Sequence, residues 1–396
     1  MIEVGGINFH LLEPFILAWC IFQLVRFVKD ANPVTQVAKT HVVLALAAMV
    51  LLLLAIGLSA ANAVDPEKVW YKGALKWGEI FGIAFAAYTY ADSKPKQERL
   101  LLLLKIVTGL AILGGFALGV YNLVASGKAA SVGNVDLCLL ILRRIPGDQS
   151  LLLFALSAPA WHRGKAHAFI TVASACLVVA SLSRGAFLGL VVVLGALALY
   201  SRKADVAARQ KAPAHRRRWV TAVLSATVFL VVFALVFREE LGRRFSEIGD
   251  FSLRLRLLEL AVNAFLTSPI IGIGAENYGA YLISTNQFPA GHGLTENLAP
   301  HNHWIQFLAE TGIVGFAALV LLYVCLIRIL VLGTRSKELA TLVRPLSLFL
   351  LTHMAIVTFG YVAGSDRLEL GLFLGTVLSI GGYIGGKAAV EDSPEA

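Results

Sequence analysis

Charge is scarce in this sequence. Only 15% of its 396 residues are Asp, Glu, Lys or Arg, where soluble domains carry about 25%, and 58% are hydrophobic, where about 45–50% is usual. That balance excludes an ordinary soluble domain. Cysteine is scarce too. Cys20, Cys138, Cys176 and Cys325 each stand alone in an apolar segment, with no CxxC and no Cys/His spacing. This excludes a disulfide frame and a cysteine metal centre and leaves buried free thiols. No HExxH helix, acidic cluster or Walker-type loop occurs, so the sequence offers neither a metal site nor a nucleotide site. No ten-residue alternation of the barrel type and no repeat of 20–50 residues is visible. The first residues, MIEVGGINFHLLEPF, lack a basic stretch and a small-residue cleavage site, so no cleavable signal peptide is expected.

What is present is a series of long apolar runs. About 20 helical residues cross roughly 30 Å of hydrocarbon, and helices satisfy their own backbone there. The expected fold class is therefore an all-α polytopic membrane protein. Eleven spans read out, at about 9–27, 41–63, 74–92, 100–125, 149–162, 166–182, 185–200, 219–237, 302–332, 342–363 and 368–386, with a twelfth possible within 127–162. The expected layout is transmembrane helices over 1–237, one large outer loop over 238–301, transmembrane helices over 302–386 and a polar tail over 387–396.

The net charge of +9 does not point to nucleic acid, because the basic residues sit in short loops between spans. Residues 201–219 hold Arg202, Lys203, Arg209, Lys211, Arg216, Arg217 and Arg218 against the single acid Asp205. The positive-inside rule makes that loop cytoplasmic, and 93–99, 162–167 and 333–338 agree by parity. The opposite side receives 63–73, 126–148, the 181–186 turn, 238–301 and the 365–367 turn. Within the large loop, residues 251–265 have helical period. Arg254, Leu258, Ala261 and Phe265 share one stripe and Arg256, Asn263 and Thr267 another, which predicts a helix lying along the outer membrane face. Pro269 and the closely spaced Gly272 and Gly274 break it.

Several polar residues gather on that outer side. Arg184 lies between Ser183 and Gly185 in a turn between two spans, where the topology rule disfavours arginine. A snorkelling interfacial arginine is the plain alternative. Arg238, Arg243 and Arg244 have Glu239, Glu240 and Glu247 beside them and read as a solvated face. His301, Asn302 and His303 stand at the mouth of the span that starts at 302. The unsatisfied N–H groups and dipole of that helix start oppose a positive charge and hold the His301 imidazole neutral, able to take a proton from a hydroxyl. The same helix end welcomes phosphate oxygens. His301 and His303 are two apart and point to different sides, which argues against a metal pair. Trp304, Leu308, Gly312 and Gly315 share a stripe with His301. The glycines fall about 16 Å further along a straight helix, too far for chemistry, and read as packing positions that let another helix approach. Arginines and a neutral histidine under apolar walls suit a lipid-linked diphosphate, with the energy held in the substrate.

These residues resemble the O-antigen ligase family. The family pattern of His, then Asn, Ser or Gln, nine residues, Gly, two residues, then Gly, Thr or Tyr is met by His301, Asn302, Gly312 and Gly315. A second element, Arg with Leu four later at the outer end of a span, is met by Arg184 and Leu188. A third, Arg about fifteen residues before Pro-x-x-Gly-x-Gly, lands on Arg254, with Arg256 next in line. The resemblance covers about 166–316. It implies a GT-C-type, metal-independent, inverting glycosyltransferase of the bacterial inner membrane without a cofactor. Its donor would be an undecaprenyl diphosphate-linked glycan and its acceptor the lipid A core. By that resemblance Arg184 and Arg254 hold the diphosphate, His301 activates the acceptor hydroxyl, and Arg256, His303 and Asn302 support substrate binding. A polysaccharide polymerase and a protein O-glycosyltransferase share the pattern. A transporter of anionic solutes is a more distant reading, with Glu79 and Lys105 as its candidate charges within spans.

Overall fold

A computed structural model describes residues 2–4, 7–9, 36–125, 146–181, 183, 186, 189–197, 248–287, 299–300, 302–336, 338–359 and 367–391. Apart from a small antiparallel hairpin, β1 (Ile2–Val4) and β2 (Ile7–Phe9), the described elements are helices: α1 (Gln36–Ser59), α2 (Leu75–Tyr90), α3 (Lys94–Ala125), α4 (Gly147–Ser157), α5 (Lys165–Ala180), α6 (Ile248–Thr267), α7 (Tyr278–Ser284), α8 (His303–Gly333), α9 (Ala340–Phe359) and α10 (Arg367–Glu391). Residues 189–197 are helical as well. The chain is an all-α polytopic membrane protein: among the described residues four helices, Thr40–Asn62, Lys94–Ala125, His303–Gly333 and Arg367–Gly385, are long and apolar enough to cross a bilayer. The expected spans at 9–27 and 219–237 lie outside the described residues. The run expected to span at 149–162 is an 11-residue helix continued by a tighter 3₁₀ turn from Ala158 to Arg163, shorter than the roughly 20 residues a crossing takes.

The chain divides into two compact units. The first joins residues 1–107, 253–347 and 357–396; the second joins 108–252 and 348–356. In the first unit α8 packs along α1 and α10 packs along α2. The α10–α2 contact is built on Gly371 and Gly375, four apart. A Cβ on Gly371 would stand 2.7 Å from the Ile83 side chain, and one on Gly375 2.3 Å from the Ala84 carbonyl oxygen. Small residues at this spacing let helix backbones approach closely in lipid, where dispersion rather than water exclusion drives packing.

Hydrogen bonds sort the ends of these helices into two groups. At one end, Asn62 donates to Ser268 Oγ (2.7 Å), the Asp65 N–H donates to Asn277 Oδ1 (2.8 Å), Lys76 pairs with Glu276 (3.2 Å) and Arg367 pairs with Glu79. At the other, Gln97 donates to the Ser379 carbonyl (3.1 Å) and Tyr383 donates to Glu338 (3.4 Å). The first group unites the 63–73, 238–301 and 365–367 loops. The second unites 93–99 with 333–338. These are the groupings that the lysine and arginine pattern expects.

In the second unit α4 and α5 pack together, and a Cβ on Gly147 would stand 2.4 Å from Ser181 Oγ. Only glycine lets the start of α4 come this close to the 181–186 turn.

Candidate active site

Over its described residues 248–287, the large loop is a helix, a tight turn and a second helix. Along α6, Leu257, Leu260, Ala261 and Ala264 form a buried stripe that packs with Ile273, Tyr278 and Leu282 of the returning chain and with Ala309 of α8. The opposite side of α6 has two characters. Leu255, Val262 and Leu266 are exposed and apolar, while Arg256, Glu259, Asn263 and Thr267 are exposed and polar. A helix that buries one stripe in protein and shows an apolar and a polar stripe outward is suited to a membrane surface, as its sequence period suggests.

The two loop arginines part company here. Arg254 lies three residues before Leu257, at the N-terminal end of the buried stripe. It is half-buried, with its Nε out of reach of solvent. Arg256 is exposed and forms an ion pair with Glu259 at 2.8 Å. Such an exposed pair contributes only about 0.2–1 kcal/mol.

The turn after α6 does more than end it. α8 is broken inside its polar first third, at Gly312 (φ 65°, ψ −169°). A helix break in apolar surroundings strands backbone groups that water cannot reach, at a cost of several kcal/mol each. The 269–274 turn satisfies them. Ile273 and Gly274 donate to the carbonyls of Ala309 and Glu310 (both 3.0 Å), and Ile313 and Val314 donate to those of Pro269 and Ile270 (2.9 and 3.3 Å). The approach is so close that a Cβ on Gly312 would stand 2.2 Å from the Ile270 carbonyl oxygen, and one on Gly272 (φ 77°) 2.3 Å from the Glu310 backbone. Gly312 is therefore a break clasped by a loop, which corrects the expectation of a straight helix with a packing glycine there. Gly315 does behave as expected. It faces α1, with Ala55 Cβ 3.4 Å from where its own Cβ would be.

Side chains reinforce the clasp. Asn277 donates to the carbonyls of Asp65 and Ala275 (both 3.0 Å), and the Ala275 N–H donates to Ser59 Oγ (3.1 Å). Glu310 is buried and Oε1 accepts from the Tyr278 N–H (3.2 Å) and from Gln306 Nε2 (3.1 Å). The Tyr278 hydroxyl donates to the Leu257 carbonyl at 2.6 Å. Burial, and secondarily the Glu310 carboxyl, push the Tyr278 phenol pKa up, so it stays neutral and serves as a donor.

At the start of α8, Asn302 is the N-cap. Its side chain accepts from the Ile305 N–H at 3.1 Å, so the helix begins at His303 and His301 is the residue before the cap. Capping by Asn is worth about 1 kcal/mol relative to Ala. His303 is half-buried with its ring 5.6 Å from that of Phe307. His301 and Arg184 themselves lie outside the described residues. Among the described residues on either side of Arg184, Ser181 Oγ donates to the Val178 carbonyl (2.7 Å) and accepts from the Ser183 N–H (3.3 Å), and the Ala186 N–H donates to Ser183 Oγ (3.4 Å). Glu79, the candidate transport charge, is bonded to Arg367, an arrangement that structural ion pairs share.

Sequence reasoning passed over Tyr278, Glu310 and Gln306. The signal was present: an acid inside an apolar helical run, two residues before a motif glycine, is costly there and marks a defined role. A family model described as O-antigen ligase matches residues 169–320. No curated protein matches the chain.

Proposed function

We propose that this chain, which carries an O-antigen ligase family domain over residues 169–320, is a glycosyltransferase that moves a finished glycan from undecaprenyl diphosphate to a sugar acceptor at the outer face of the inner membrane. The observation that carries the reading is the loop core. The helix with half-buried Arg254 and the first turns of α8, directly after His301, share one packed cluster. The matched segment also contains Arg184, Arg254 and His301.

In this reading the acceptor hydroxyl attacks the anomeric carbon of the donor. The new C–O bond forms as the bond to the diphosphate oxygen breaks, with inversion. The hydroxyl proton passes to His301, and undecaprenyl diphosphate leaves as an anion. Arg184 and Arg254 take up its charge through bidentate contacts, which strengthen as charge develops. Arg256, His303 and Asn302 have lesser parts: Arg256 attracts the anionic headgroup from the surface, His303 lines the entrance, and Asn302 caps the helix. The lipid A core is the acceptor this reading favours, in a GT-C-type frame.

The test is transfer in cells lacking the chromosomal gene. His301→Ala and Arg184→Ala should abolish glycan attachment while the protein still inserts in the membrane. Intact attachment with His301→Ala would sink the reading. The deletion strain separates ligase from polymerase: free long lipid-linked glycan marks a ligase, and single repeat units on the core mark a polymerase. The spacing from His301 to Gly312 and Gly315 favours the ligase.

A further inference from the structure

Two side chains form a path between the two parts of the loop core. From the α6 side, the Leu257 carbonyl, one turn after Arg254, accepts from the Tyr278 hydroxyl at 2.6 Å. From the α8 side, Glu310 Oε1 accepts from the Tyr278 N–H at 3.2 Å and from Gln306 Nε2 at 3.1 Å, one turn back toward Asn302 and His301. Tyr278 is 1% exposed and Glu310 5%, so water does not compete for these bonds. The path runs from the turn of Arg254, through one tyrosine, to the second turn of the helix that follows His301. The backbone clasp at 269–274 fixes the far end of α6 against α8. Toward the Arg254 end the contact is hydrophobic packing, which alone leaves two elements free to slide by fractions of an ångström. A buried donor and acceptor pair has a single good register, because any slip leaves a buried group unmet.

We propose that Tyr278 and Glu310 are positioning residues that set the register of the Arg254 turn against the first turns of α8, and through it the arginine-to-histidine geometry on which transfer depends. This rests on the glycosyltransferase reading for its catalytic consequence, whereas the register itself is measurable without any reaction. Neither side chain reaches substrate in this proposal. Misplacement of a reacting pair by about 1 Å can cost on the order of 100-fold in rate.

The test uses full-length protein in liposomes, an undecaprenyl diphosphate-linked oligosaccharide as donor, lipid A core as acceptor, and amide hydrogen exchange over 254–261 and 303–310. Glu310→Ala should lower kcat about 10- to 100-fold and speed exchange in both segments, with the protein still inserted. Glu310→Gln keeps an acceptor oxygen for the Tyr278 N–H, and the Gln306 amide can turn to suit it. This variant should stay within about threefold of the parent in both readouts. Tyr278→Phe, which loses only the bond to the Leu257 carbonyl, should fall between them and speed exchange over 254–261. The proposal is overturned if Glu310→Ala leaves exchange unchanged, or if Glu310→Gln is as impaired as Glu310→Ala, since charge rather than register would then matter. His301→Ala in the same assay judges the functional reading separately. If it keeps full transfer, that reading fails, and the exchange data alone still decide whether Tyr278 and Glu310 set the register.

Discussion

α8 is two helices in one, and Gly312 divides them. Before it, the buried side chains include Gln306 and Glu310, Thr311 adjoins it, and the backbone is bonded across to the 269–274 turn. After it, the buried residues are Ala318, Leu319, Leu322, Tyr323, Cys325, Leu326, Ile329 and Leu330, while Val320, Val324, Ile327 and Val331 face outward. The lower part holds the helix in the bilayer by packing. The upper part forgoes packing uniformity to build a polar, backbone-bonded platform beneath the large loop. Precision is concentrated where chemistry is proposed and ordinary shape-filling is left to the rest.

The largest way to break this contrast is at its boundary. Gly312→Ala should cost at least about 3 kcal/mol and abolish transfer, because it combines a positive φ with a Cβ driven into the Ile270 carbonyl. Gly272→Ala attacks the same contact from the loop side, so the double variant should cost clearly less than the sum of the singles. Gly315→Ala is the milder comparison. Its backbone is not in the positive-φ region, but its added methyl would stand 2.3 Å from Thr311 Oγ1 and 2.5 Å from Thr311 Cβ in its own helix, so about 1–2 kcal/mol is expected, clearly less than at Gly312. Thermal unfolding in detergent measures all four proteins. Equal losses at Gly312 and Gly315 would mean that α8 is one uniform helix after all.

In the lower part, Leu326→Ala should cost roughly 1–3 kcal/mol, since the removed methyls leave a cavity while lipid offers them no worse surroundings. The protein that stays folded should transfer glycan with an unchanged rate per molecule. A rate loss there larger than the loss of folded protein would show that the lower helix shapes the site as well as anchoring it.

The same division explains what the sequence made legible. The lower helix is periodic and apolar, so its end at Gly333 reads from hydropathy to within one residue, and the limits of α1 and α10 to within about five. α10 runs on to Glu391, past the expected end at 386, through the Gly385–Gly386 pair and the good helix formers Lys387, Ala388 and Ala389. The pairing of loop ends followed from lysine and arginine placement. The clasp did not follow, because it is made of backbone bonds between segments some forty residues apart, which leave no periodic trace. Gly272, Gly274 and Gly312 were visible only as separate motif letters; the clasp, where Gly272 lies on the Glu310 backbone, Gly274 donates to the Glu310 carbonyl and Gly312 lies on Ile270, gives those letters a common cause. Which arginine stripe packs also needed burial: the helical period put Arg254 and Arg256 on different stripes but could not say which one faces the core.

The smallest effect expected is at Asn302, and it separates a cap from a ligand-binding group. As N-cap, Asn302 needs only a short side-chain oxygen to accept from the Ile305 N–H. Asn302→Ala should therefore cost about 1 kcal/mol, and Asn302→Ser or Asn302→Asp should restore nearly all of it. If capping is its whole part, transfer rates per folded molecule should follow the same order and stay within about threefold. Asp is the informative substitution. It caps as well as Asn and favours the helix dipole, yet it sets a negative charge beside the position proposed to receive a diphosphate. A stable Asn302→Asp protein with full activity would place the diphosphate away from this helix end. A stable one that has lost transfer would put the anion against the first turn of α8, where His301 and the arginines are proposed to act together.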